Sequence, residues 1–232
     1  MSLITRLYRK GVILLDRFLT FIYIRSVEVE GVENVPRQGP LILASNHLNN
    51  ADPPMIALAI PRHPTFMAKQ EMFGWPILGL GIRLYGAFPV RRFEADLAAL
   101  RKATERVRQG EMLVMFPEGT RSRTGSMRKA HPGTAMIALR AGAPILPVAI
   151  TGTETVRWPW LFLRPFMGPR VRVVIGRPFF LPEVERVDTE AAQRCTEIIM
   201  GRIAELLPES YRGLYAAAVG EAGQGTRELE EG

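Results

Sequence analysis

The stretch SNHLNNADP, residues 45–53, sets His47 shortly before Asp52, with prolines at 53 and 54. An imidazole titrates near neutral pH, so it serves as a general base once one ring nitrogen is fixed and the other faces a substrate. A carboxylate accepting the Nδ1–H does the fixing and stabilises the imidazolium that forms. The turn LNNA lets Asp52 fold back toward His47. A structural role competes: Asp52 as the N-cap of a helix that Pro53 opens. The two roles are compatible, because a carboxylate has lone pairs for both a backbone N–H and a ring N–H.

A second stretch, FPEGTRSR at 116–123, carries Glu118, Gly119, Thr120, Arg121 and Arg123. Guanidinium groups bind phosphate through two parallel hydrogen bonds. Gly119 permits close backbone approach, and its N–H is a candidate donor to an oxyanion. The competing reading is a strand-to-loop turn with solvated charges. The pattern GxxxxGK[ST] is absent, which argues against a nucleoside triphosphate site.

These residues need elements to hold them. PLILAS (40–45) reads as a strand buried on both faces, and EMLVMF (111–116) as a central strand. Both motifs thus follow strand ends, where ligands bind in α/β sheets. Further strands are expected at 26–30, 65–69, 85–90, 144–150 and 170–176, the third at an edge because Pro89 breaks the ladder. Helices are expected at 52–60, 75–84, 93–109, 132–141 and 189–207. The fold class is therefore α/β, with a mixed, largely parallel central sheet flanked by helices. Lys69, at the end of a strand, is a further candidate to face the crevice, alongside a surface role.

The chain has 232 residues, 47% of them hydrophobic, enough for one sizeable core. Its net charge of +7 favours anionic partners: phosphorylated substrates, nucleic acid or an anionic membrane face. The lone cysteine, Cys195, rules out an internal disulfide and a zinc site built from several cysteines. It shares a helix face with Ile199 and Ile203 and reads as buried filler.

Residues 1–25 form an expected membrane-interface segment. Residues 11–24 are largely apolar but carry Asp16 and Arg17 in the middle, and the run is short of the roughly 20 residues needed to span a bilayer. Leu14, Leu15, Phe18 and Phe21 make a wide apolar face punctuated by arginines, as in an interfacial helix on anionic lipid. A soluble helix packed on the body is the alternative. RWPWLFLRPF (157–166), Pro-broken and flanked by arginine, reads as a second interfacial anchor or as a buried loop. Residues 26–215 are expected to form one folded domain, and 216–232, Gly-rich and polar, a disordered tail.

NHLNNAD resembles the N-H-x-x-x-x-D motif of the glycerolipid acyltransferase family, and FPEGTRS its F-P-E-G-T-R-S motif. YGAFPVRR is similar to the block between them, with its arginine at Arg92, and APILPVAI to a fourth, with Pro147 at the key place. The four blocks stand in the family's order over about residues 30–180. Pro89 and Arg91 depart from the usual second block, which has an apolar and often an acidic residue there. The resemblance implies transfer of a fatty acyl group from acyl-CoA or acyl carrier protein to the sn-2 hydroxyl of 1-acyl-glycerol-3-phosphate (lysophosphatidic acid), giving phosphatidic acid. It implies His47 as base and Asp52 as its partner. Arg92, with Arg121, would hold the acceptor's phosphate. Glu118, Gly119 and Thr120 would position acceptor and transition state. It implies no metal and no cofactor beyond the thioester co-substrate, and a place at the cytoplasmic face of the membrane.

A thioester is already activated, so direct attack without an acyl-enzyme is expected. His63 and His131 lie beside prolines and read as ordinary loop residues, although His131 is within reach of a donor phosphate. Other classes remain: an acyltransferase for another acceptor such as glycerol 3-phosphate, a thioester hydrolase, and a non-catalytic lipid-binding module. Nucleic acid is disfavoured as a partner, since no recognition module accompanies the charge.

Overall fold

The structure is a computed structural model that describes residues 26–84, 86–90, 97–156, 170–219 and 226–229. Arg92, the N-terminal segment 1–25 and the aromatic stretch 157–166 lie outside the described residues.

Alternating apolar runs and helical stretches fold as the sequence pattern requires. The strands are β1 (Ser26–Glu30), β2 (Leu41–Ser45), β3 (Pro64–Lys69), β4 (Phe88–Val90), β5 (Met112–Met115), β6 (Ile145–Thr151), β7 (Arg170–Ile175), β8 (Phe179–Phe180) and β9 (Arg227–Glu228). They join in the order β1-β7-β6-β2-β5-β3-β4, with β8 on β6 and β9 on β8. Strands β6, β2, β5, β3 and β4 are mutually parallel, while β6 meets β7 antiparallel. β4 is an edge strand, so Pro89 sits where a missing N–H costs little.

The helices are α1 (Asp52–Ala59), α2 (Pro76–Leu84), α3 (Leu97–Arg108), α4 (Gly133–Ala141), α5 (Thr189–Leu206) and α6 (Glu209–Arg212). Alternation along β2 divides the core. Ile42 and Ala44 pack with Ala103 and Val107 of α3, Ile137 of α4 and Ile199 of α5. Leu41 and Leu43 pack with Met55 and Ile56 of α1. Covered on both faces, β2 has all five residues buried. Cys195 is buried on the inner face of α5, as its spacing predicts.

Two short pieces of the stretch 216–232, expected to be disordered, take regular structure among the described residues. Gly213–Ala218 form a 3-10 turn that buries Tyr215, and Arg227–Glu228 pair with β8. Polar composition did not register the Arg227 guanidinium lying 5.1 Å over the Phe180 ring.

The consequence for function is topological. β5, β2 and β6 are neighbours and run parallel, so the loops leaving their C-terminal ends converge. Those loops begin at Phe116, Asn46 and Gly152.

Candidate active site

His47 leaves β2 just past the sheet edge and is buried. Its Nδ1 lies 2.7 Å from Asp52 Oδ2, and its ring stacks on Phe116 with centroids 4.1 Å apart and planes 23° from parallel. Among the described residues nothing hydrogen-bonds Nε2, which is left to meet a substrate proton.

Asp52 is fully buried. It is the first residue of α1; the N-cap position belongs to Ala51, and no side chain caps that helix. The carboxylate turns back instead. Oδ2 accepts the Leu48 N–H at 2.6 Å, the Asn49 N–H at 2.8 Å and the imidazole, and Oδ1 accepts the Thr153 hydroxyl at 2.5 Å. The capping alternative therefore fails in its simple form: Asp52 holds the loop before the helix, because that loop carries N–H groups with no other acceptor.

Glu118 is buried, and both its oxygens are occupied. Oε1 accepts the His47 N–H and Oε2 the Arg128 N–H, each at 3.0 Å. It thus acts on His47 through the backbone, clamping the β2 and β5 loops together. The Ser122 N–H adds a bond to the His47 carbonyl at 2.7 Å. Burial pushes the Glu118 carboxyl up to about 7, against the two backbone N–H groups and the Arg128 charge, which lower it.

A carboxyl raised on folding stabilises the protein below its unfolded value and loses that contribution as pH rises through the folded one. Between about 4.5 and about 7, Glu118 therefore makes stability fall with rising pH. Glu118→Gln should remove this component of the slope and cost about 1–3 kcal/mol, since its amide turns an NH2 toward one of the two N–H donors. Urea unfolding of both proteins at several pH values between 4.5 and 7.5 measures it; an unchanged slope would contradict the assignment.

The other sequence candidates fall into place unevenly. Gly119 has φ +67°, in the left-handed region, and a Cβ there would meet the His131 ring at 3.1 Å. Its N–H donates to the Phe116 carbonyl at 2.9 Å, so it is not an oxyanion donor as expected. The N–H groups of Thr120 and Arg121 have no bond among the described residues. Arg121 and Arg123 are exposed beside the site. Lys69 pairs with Glu71 at 3.4 Å, and it is half-buried at the end of β3. Among the described residues, no group of three or more His, Cys, Asp or Glu could hold a metal ion.

Three residues escaped the sequence reading. Asn46 pairs with both the N–H and the carbonyl of Ile150 at 2.9 Å, locking β2's exit to β6. Asn49 donates to the Val156 carbonyl at 3.1 Å. Thr153 reaches Asp52. Only the polar cluster TGTET after an apolar strand hinted at the third.

This geometry suits base-assisted attack by a hydroxyl, and sequence relatives sharpen it. The acyltransferase family model matches residues 26–151, the span that contains His47, Asp52 and Glu118. The chain belongs to the acyltransferase family. In this member of the family, Thr153 and the C-terminal helices lie beyond the matched span. The chain is 27% identical to a chloroplastic 1-acyl-sn-glycerol-3-phosphate acyltransferase of Brassica napus, covering 73% of this chain and 50% of that one. It is 33% identical to a lyso-ornithine lipid O-acyltransferase of Pseudomonas aeruginosa over 53% of this chain and 47% of that one. The chain thus spans about half the length of these curated relatives. The crystal structure of the 1-acyl-sn-glycerophosphate acyltransferase PlsC from Thermotoga maritima matches with a TM-score of 0.64 and 29% identity, covering 85% of this chain and 79% of that chain.

Proposed function

We propose that the protein transfers a fatty acyl group from an acyl thioester to the sn-2 hydroxyl of lysophosphatidic acid, forming phosphatidic acid. The observation that carries this reading is the buried His47–Asp52 pair, held with Nε2 outward beside an arginine-bearing loop. The named activities of the Brassica and Thermotoga relatives support the choice of acceptor.

His47 Nε2 takes the hydroxyl proton as the oxygen attacks the thioester carbon. The new C–O bond forms, the tetrahedral oxyanion collapses, and the C–S bond breaks. The imidazolium then returns its proton to the departing thiolate. Asp52 stabilises the imidazolium throughout. The Thr120 and Arg121 N–H groups are the backbone donors left for the oxyanion. Arg92 and Arg121 bind the acceptor's phosphate, so Arg92→Ala should raise the acceptor KM about tenfold or more while leaving kcat nearly unchanged. Steady-state kinetics against acceptor concentration check this; an unchanged KM would remove Arg92 from the phosphate site.

Among the described residues no helix is long and apolar enough to cross a membrane. The acceptor is a membrane lipid, and the basic N-terminal segment together with residues 157–166 supplies the contact to an anionic leaflet. Acyl-CoA and acyl carrier protein are the donors to be compared.

The Pseudomonas relative favours lyso-ornithine lipid as a second acceptor to consider. The test is product identification by mass spectrometry with palmitoyl-CoA and a panel: lysophosphatidic acid, glycerol 3-phosphate, lyso-ornithine lipid and no acceptor. Phosphatidic acid as the dominant product supports the proposal. Preference for another acceptor replaces it, and thiol release without acceptor points to a hydrolase.

A further inference from the structure

Asp52 Oδ2 has three donors, and Oδ1 accepts the Thr153 hydroxyl. Thr153 is fully buried. It reaches Asp52 because β6 ends in a sharp turn at Gly152, with φ +90°, where a Cβ would stand 1.9 Å from the Arg170 carbonyl oxygen. Only glycine fits there, and the 3-10 turn Thr153–Thr155 follows at once.

That turn is anchored on both sides. The Val156 N–H donates to the Thr153 carbonyl at 3.0 Å, and the Val156 carbonyl receives the Asn49 amide at 3.1 Å. Next to Thr153, Glu154 accepts the Tyr211 hydroxyl at 2.7 Å from α6. The turn that carries Thr153 is therefore held by the β6 end and by Tyr211 of α6, as well as by Asn49 of the His47 loop.

We propose that Thr153 is a positioning residue for catalysis: its hydroxyl fixes the rotation of the Asp52 carboxylate, so that Oδ2 stays in the imidazole plane and Nε2 points at the acceptor hydroxyl. This rests on the acyl-transfer reading above. Rotation about the Cβ–Cγ bond moves both carboxylate oxygens. The Leu48 and Asn49 N–H groups restrain it at Oδ2, from the same loop as His47. Thr153 restrains it at Oδ1, from the end of β6.

The test compares Thr153→Val, which keeps the volume and loses the donor, with Thr153→Ser, which keeps the donor. Thr153→Ala serves as a second donor-less variant should the valine protein fail to fold. Folding is checked by circular dichroism and Tm. Loss of a positioning bond of this kind is expected to lower kcat about 10- to 100-fold with both KM values nearly unchanged, and Thr153→Ser should stay within about threefold of the natural chain. A folded donor-less variant with full kcat, or a serine variant as impaired as the valine one, would overturn the proposal.

A readout free of substrate separates this from the acyl-transfer reading. Proton NMR of 15N-histidine-labelled protein should show the His47 Nδ1–H in the natural chain and in Thr153→Ser, assigned by its absence in His47→Ala. That resonance should broaden or shift in Thr153→Val. An unaltered resonance would overturn the proposal whatever the enzyme acylates, while an inactive natural chain with the expected resonances would count against the acyl-transfer reading alone.

Discussion

His47→Ala should lose at least about 10²–10⁴-fold in kcat for acceptor-dependent thiol release while keeping its fold. The loss is that of the general base. The fold survives because the loop is held by atoms the substitution leaves in place. The backbone N–H of residue 47 still donates to Glu118, and its carbonyl still accepts from Ser122. Asp52 keeps the Leu48 and Asn49 N–H groups and Thr153. The gap left beside Phe116 lowers Tm without removing any of these bonds, since His47 is buried against that ring. Kinetics and Tm of the purified variant check both halves, and a kcat within tenfold of the natural chain would refute the role.

Asp52→Asn is the second large effect, and it must be read beside Asp52→Ala. The amide can place its oxygen at the Oδ2 position and its NH2 at the Oδ1 position. There the Thr153 hydroxyl rotates from donor to acceptor. All contacts are kept in kind, so the protein folds with a modest loss of Tm. The negative charge is gone, and the imidazolium formed during attack has nothing to balance it. A kcat loss on the order of 10²–10⁴-fold is expected, with little change in KM. Asp52→Ala instead strands two backbone N–H groups, an imidazole N–H and a hydroxyl. At about 1–3 kcal/mol for each unmade buried bond, that approaches the whole stability of an ordinary domain, about 5–15 kcal/mol. Expression and urea unfolding of the pair give the check. Equal stability of the two variants would contradict the hydrogen-bond assignment.

Much of the fold is legible in the chain because its apolar runs are strong and its punctuation is clear. β2 reads as buried on both faces, and Pro89 marks an edge strand. Gly142, with φ +61°, ends α4 where it should. The His47–Asp52 contact was visible as a histidine and an aspartate in reach across a turn. The role of Glu118 was not, because a carboxylate in a loop reads as solvated until both its oxygens are seen on backbone N–H groups. The Gly119 N–H, expected as an oxyanion donor, instead closes a turn on Phe116. Thr153 could not be foreseen, since its partner lies 101 positions away and the bond exists only because β6 runs parallel beside β2. The Tyr215 hydroxyl was hidden for the same reason, accepting the Ala130 N–H from 85 positions away. Local pattern reports elements; contacts across the sheet edge depend on strand order.

The most direct test is a thiol-release assay in detergent, with palmitoyl-CoA in the presence and absence of lysophosphatidic acid, for the natural chain and His47→Ala. A protein-only blank sets the background from Cys195. The account predicts thiol release that depends on the acceptor, yields phosphatidic acid and falls at least 10²-fold in the folded variant. Acceptor-dependent release that persists unchanged in His47→Ala would contradict it.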